Sequence, residues 1–145
     1  MEYLWSDAWL LQAIILANDK GKGSLIDVIA AADAVNHAGI CWDEMTSGLV
    51  RLSAGGYIKE TDGHFVLTES VPENVRRSCL KEELSKGREV VTILLRAEEW
   101  TRDKNVRDPR NNLEYPGLTH ELFMKAEKEY NRRMRKSKNE LKSKN

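Results

Sequence analysis

Two cysteines, Cys41 and Cys79, are too few for a disulfide framework and read as reduced thiols, the ordinary state in a cytosolic protein. No apolar run approaches the roughly 20 residues that a spanning helix needs. The longest candidate is bracketed by Gln12 and Asp19, so the chain is expected to be soluble and without a membrane partner. The first residues, Met1-Glu2-Tyr3-Leu4-Trp5-Ser6-Asp7, carry acids where a signal peptide carries bases. Three histidines and two cysteines give no metal set: His37 and Cys41 stand four apart across a turn, while His64, His120 and Cys79 are scattered. Nor do they give a nucleophilic triad. Gly21-Lys22-Gly23-Ser24 lacks the length and the Gly-Lys-Ser/Thr order of a phosphate-binding loop. Neither a catalytic residue, a metal nor a cofactor is expected, and there is no internal repeat.

Net charge is also absent, but the balance conceals an asymmetry. Residues 1–75 hold 4 Lys/Arg against 11 Asp/Glu, a net of −7, and residues 76–145 hold 19 against 12, a net of +7. The last stretch, 125–145, has nine bases and three acids. It contains the cluster Arg132-Arg133-Met134-Arg135-Lys136, a pattern suited to phosphates or to an acidic protein surface.

What is present is helical periodicity interrupted once. Ser6 is the expected N-cap of a first helix whose apolar residues, Ala8, Trp9, Leu11, Ile14 and Ile15, lie on nearly every side. Such a helix is a central core element or a dimer contact. Ser24, with Asp27 three residues on, opens a second helix with Leu25, Val28, Ile29, Ala32 and Val35 at 3, 4, 7 spacing. It breaks at Asn36-His37-Ala38-Gly39, where Gly39 is free to take a positive φ and Ile40 is placed to form a short strand. A third helix begins at Cys41, with Glu44 at the reciprocal capping position, and buries Met45, Leu49 and Leu52 beside Gly48. Gly55-Gly56 ends it. Tyr57 to Glu60 and His64 to Leu67, joined through Asp62-Gly63, read as a hairpin.

Helix, helix, turn, helix and hairpin, carried by residues about 6–68, resemble the winged helix-turn-helix superfamily. The fold class expected is therefore mainly α with a small β component: a winged helix domain at 1–70 and a helical extension with a basic tail at 71–145. In the extension, Glu73–Lys86 reads as a helix with Val75, Cys79, Leu80 and Leu84 inward, Gly87 as an interruption, and 88–101 as a second apolar helix. Leu113, Tyr115 and Pro116 are placed to pin the irregular stretch 102–117 to the body. Thr119 caps a last helix with Leu122, Phe123, Ala126 and Tyr130 inward, running into a frayed tail.

The resemblance implies double-stranded DNA as partner, with the third helix in the major groove and the hairpin on the backbone. The exposed face of that helix is expected to hold Asp43, Thr46, Ser47, Val50, Arg51 and Ala54. The candidate contacts are Thr46, Ser47, Arg51, Lys59 of the hairpin, and Arg132, Arg133, Arg135 and Lys136 of the tail. The acidic first half opposes this, since DNA affinity rests on neutralised phosphates. The competing reading is a winged helix module for protein interaction, whose acidic face takes a basic protein partner. A homodimer through the first helix and the helix at 88–101 is expected from the same resemblance.

Overall fold

The computed structural model describes residues 2–81, 83–97 and 118–143. The expectations about residues 98–117, Trp100 and the pinning role of Leu113, Tyr115 and Pro116 included, lie outside them. Among the described residues the order is α1 (Trp5–Lys20), α2 (Leu25–Asn36), α3 (Trp42–Ala54), β1 (Ile58–Thr61), β2 (His64–Leu67), α4 (Glu73–Lys81), α5 (Leu84–Leu95) and α6 (His120–Ser143). The chain is mainly helical, with one two-stranded antiparallel hairpin after the third helix, a layout compatible with a winged helix.

α1 is the centre. It packs against α2, α3, β2, α4 and α5, and Ala8 to Ile15 are all buried. The apolar character on every side is thus used within one chain, and α1 is a core helix rather than a dimer contact. Its N-cap is Leu4, not Ser6, which is fully buried inside the first turn. The reason is Asp7: its carboxylate reaches back three residues to accept the Leu4 N–H at 2.9 Å, so the helix starts where an acid covers an otherwise unsatisfied donor. Trp9 donates its indole N–H to the Ala32 carbonyl at 2.9 Å and fastens α2 alongside.

α2 starts as its sequence dictates. Asp27 N–H donates to Ser24 Oγ, and Ser24 N–H to the Asp27 carboxylate, both at 3.3 Å. Its end differs from expectation. The chain turns on His37, with φ of 52°, and not on Gly39. His37 N–H still bonds the Asp33 carbonyl at 2.7 Å, so the reversal comes one residue after the helix, where histidine tolerates the left-handed region better than branched residues. α3 buries Met45, Leu49 and Leu52, and Gly48 lets it approach α1 closely. A Cβ at Gly48 would lie 2.6 Å from Leu10 Cδ2 and 3.2 Å from Asp7 Oδ1.

The hairpin pairs Ile58 with Leu67 and Thr61 with His64. Asp62 and Gly63 both have positive φ, 51° and 79°, the primed turn whose twist matches paired strands. Ile40 does not supply a strand; it is a core residue, 1% exposed. The hairpin is instead tied to the loop before α2, through a bridge between Ser24 and His64 and a 2.8 Å bond from Phe65 N–H to the Gly23 carbonyl. Asn18 Nδ2 adds a 2.8 Å bond to the Phe65 carbonyl.

α4 and α5 close over α1, and the core runs on through Val71, Val75, Cys79, Val91 and Leu95. Gly87 does not interrupt a helix. It is buried within α5 and lets that helix approach α4, where a Cβ would sit 3.0 Å from Cys79 Cα. Leu80 and Leu84 are 41% and 39% exposed: Leu80 lies beside the Val75 and Cys79 stripe of α4, and the break before α5 shifts the helical phase at Leu84. Arg88 spans the seam between α5 and α2, donating to the Val35 carbonyl at 3.1 Å while its guanidinium covers the Trp5 ring at 4.9 Å. Burial pulls its pKa down. No helix among the described residues is long and apolar enough to cross a membrane.

Candidate nucleic-acid interface

The face of α3 expected to be open is largely closed. Thr46 and Ser47 are 6% and 3% exposed. Their hydroxyls turn back on the helix: Thr46 donates to the Trp42 carbonyl at 2.9 Å and Ser47 to the Asp43 carbonyl at 2.6 Å. Arg51, the one base on α3, forks onto Asp7, with Nε to Oδ2 at 2.6 Å and Nη2 to Oδ1 at 2.8 Å. Nη2 also donates to Ser47 Oγ at 3.1 Å. The Asp7 side chain is 0% exposed and that of Arg51 only 17%. The expected exposed face is thereby corrected for Thr46, Ser47 and Arg51. The physical reason is the close approach at Gly48, which brings α3 down onto the buried carboxylate of α1, and that carboxylate requires a cation. What α3 leaves outward is exposed Asp43 and Ala54 with half-buried Glu44, Val50 and Ser53.

The N-terminal end of α3 is covered as well. Trp42 meets the His120 ring edge-on at 5.2 Å and the Phe123 ring at 5.5 Å, both from the first turn of α6. The first turns of a reading helix are the ones that meet base edges in a helix-turn-helix complex, and here they carry a second helix instead. On the hairpin, Lys59 is exposed, but exposed Asp62 and half-buried Glu60 stand close to it in sequence.

α6 carries the remaining candidates. Leu122 N–H donates to Thr119 Oγ1 at 3.1 Å, the expected cap. Phe123 is 2% exposed, Ala126 and Tyr130 are partly buried, and Tyr130 donates its hydroxyl to Asp33 of α2 at 2.5 Å. Burial and that bond push the Tyr130 phenol up to about 12. The contact is therefore complete below the ordinary value of 10.0 and lost as pH rises through about 12. Leu122, expected inward, is 41% exposed, since it lies beside rather than on the stripe formed by Phe123, Ala126 and Tyr130. Beyond Tyr130 the helix does not fray at the basic cluster; it continues to Ser143. Every residue from Asn131 to Leu141 is exposed, Arg132, Arg133, Arg135 and Lys136 among them.

Two of these arginines are held by one acid. Glu129 accepts from Arg132 Nε at 2.9 Å and Nη2 at 2.7 Å, and from Arg133 Nε at 3.1 Å. The paired guanidiniums, Arg132 foremost, hold its carboxyl down to about 2. It is therefore ionised, and the clamp present, at any pH above that. The pairing is written in the sequence as an acid three and four residues before two bases. The Asp7–Arg51 fork has no such local signal, because 44 residues separate its members.

Among the described residues no three His, Cys, Asp or Glu side chains gather as a metal site. No family model, curated protein or solved structure matches the chain.

Proposed function

We propose that this chain is a winged helix DNA-binding protein that holds phosphates through the basic arm of α6, with α1–α3 and the hairpin as the mount rather than the reader. The observation that carries this reading is the fork between Arg51 and buried Asp7, which consumes the only cation of α3. With Thr46 and Ser47 turned inward, α3 is left with Asp43 as its exposed polar side chain, an acid that phosphates repel. The arm, by contrast, presents Arg132, Arg133, Arg135, Lys136 and Lys138 to solvent. Phosphate contact without base contact gives affinity without sequence preference, so the role is architectural or recruiting, and any part in transcription is through position rather than operator reading.

Binding of the full chain to random duplex DNA across a salt series tests this. A steep slope that disappears on removing residues 131–145, and that is unmoved by Ala54→Glu on the outer side of α3, is the expected result. A slope sensitive to Ala54→Glu would return the reading role to α3. No retention at low salt would leave the other function, a winged helix module for a basic protein partner. That reading is favoured by the exposed acids Asp43, Asp62, Glu69 and Glu73.

Glu129 gives a sharper expectation. Glu129→Gln frees both arginines, so duplex affinity rises several-fold at low salt and the salt slope steepens by roughly 1 to 2. Unchanged or weaker binding in a fluorescence anisotropy titration would remove Arg132 and Arg133 from the contact set.

A cytoplasmic homodimer belongs to the same proposal. With α1 enclosed, its contact falls to α5, where Ile93 is 68% exposed. Sedimentation giving only the monomer mass at high protein concentration would remove it.

A further inference from the structure

The arm is not a one-sided basic stripe. At 3.6 residues per turn, Arg132, Arg133, Arg135, Lys136 and Lys138 fan over an arc of roughly 220° around the helix axis, with one exposed acid, Glu140, among them between Lys136 and Arg133. The remaining side holds Met134, Ser137 and Leu141, in phase with Phe123, Ala126 and Tyr130, the stripe by which α6 sits on the body. Met134 lines a groove with Ala30, Ala31 and Ala34 of α2, so the uncharged side of the arm continues the body-facing side of the helix. The cations therefore face away from the body and to both flanks. Lys125 and Lys128 extend the same outward line back over the seated half, where they border a surface trough of mixed charge with Glu121, Glu127, Arg135 and Lys138.

A helix lying on one strand's backbone needs cations on one flank only. A helix inside a groove needs them on two. The major groove of B-form DNA, about 12 Å wide, admits one α-helix, and phosphates line both of its walls. The arm from Asn131 to Ser143 is about 20 Å long, within the reach of a groove crossing. It has no aromatic side chain, and therefore lacks the stacking platform by which single strands are held. Resting on the proposal that α6 holds DNA, we infer that the arm enters the major groove of a B-form duplex and touches the phosphates of both strands, with Arg133 and Lys136 on one wall and Arg135 and Lys138 on the other. The duplex approaches from the side opposite α2, and Tyr130 with Phe123 fixes the angle at which the arm leaves the body.

The full-length chain is tested against duplex DNA, the matching single strand and the matching duplex RNA, at equal phosphate concentration over a salt series. The variants are Arg133→Gln/Lys136→Gln, Arg135→Gln/Lys138→Gln and all four together. All four positions are solvent-exposed, and circular dichroism checks that the helix persists. Arg135→Gln/Lys138→Gln is expected to flatten the slope for duplex DNA by roughly 2, Arg133→Gln/Lys136→Gln by about 1 because Glu129 already holds Arg133, and the fourfold variant by the sum, since each free phosphate contact contributes about 0.9. Duplex RNA, whose major groove is too narrow to take side chains, and single strands bind more weakly. If one pair is silent, or if duplex RNA or the single strand binds as well as duplex DNA, the groove placement is overturned while arm binding stands. If the unaltered chain fails to bind duplex DNA at low salt, DNA binding by α6 falls, and the groove placement with it.

Discussion

Replacing Arg51 with methionine is expected to lower stability by about 3–5 kcal/mol, because it leaves a buried carboxylate without its cation. Asp7 would keep the Leu4 N–H, one donor where the fork supplied two more. Methionine preserves most of the apolar stem, so the loss is electrostatic rather than a cavity. Urea unfolding measures it. Adding Asp7→Asn to the same chain should recover much of the loss, as the double replacement removes the unpaired charge. A cost for Arg51→Met below about 0.5 kcal/mol would mean that the pair behaves like an exposed one. The function of α3 would then reopen, since a loosely held Arg51 is free to reach a phosphate.

The second large effect is expected at Gly23. Its φ of 73° is in the left-handed region, and a Cβ there would lie 2.4 Å from the Phe65 carbonyl oxygen and 2.9 Å from Asn18 Nδ2. Gly23→Ala thus adds backbone strain of about 1–2 kcal/mol to a collision with main chain that cannot rotate away. A total near 3 kcal/mol or more follows, with the hairpin lifted off the loop before α2. Gly63→Ala is the control: its φ is 79° but nothing stands within 4 Å of the added carbon, so only the strain remains. Equal losses at the two sites, measured by thermal unfolding, would show that the hairpin seat contributes nothing beyond local conformation. Slowed amide exchange at Phe65 is the native signature of that seat, and Gly23→Ala should abolish it.

The parts legible in the sequence were those set by local chemistry. Ser24 with Asp27, Glu44 reaching the Cys41 N–H, and Asp62-Gly63 between two apolar runs each involve groups within a few residues of one another, and each appears as expected. The stripe Met45, Leu49 and Leu52 was equally readable from its spacing. Long-range pairing was not. Thr46, Ser47 and Arg51 have the composition of a reading face, and nothing in α3 reveals that Asp7 approaches from 44 residues away. An acid in the first turn of α1 has a sufficient local explanation in the helix dipole, which conceals the distant one. α4 and α5 mislead for the opposite reason: Gly87 has the local signature of a stop, while its lack of a side chain serves a helix crossing. The basic cluster was visible as composition, but its persistence as helix was not, since like charges at i, i+3 and i, i+4 disfavour it locally.

The enclosure of α1 also has a consequence during synthesis. This helix, with Trp9, Leu10, Leu11, Ile14 and Ile15, is made before the elements that cover it, and α5, one of them, ends only at Leu95. At about 5–20 residues per second, an adhesive apolar cylinder stays incompletely wrapped for roughly 4 to 15 s after it leaves the ribosome. The yield of folded chain is therefore expected to follow how fast α4 and α5 arrive.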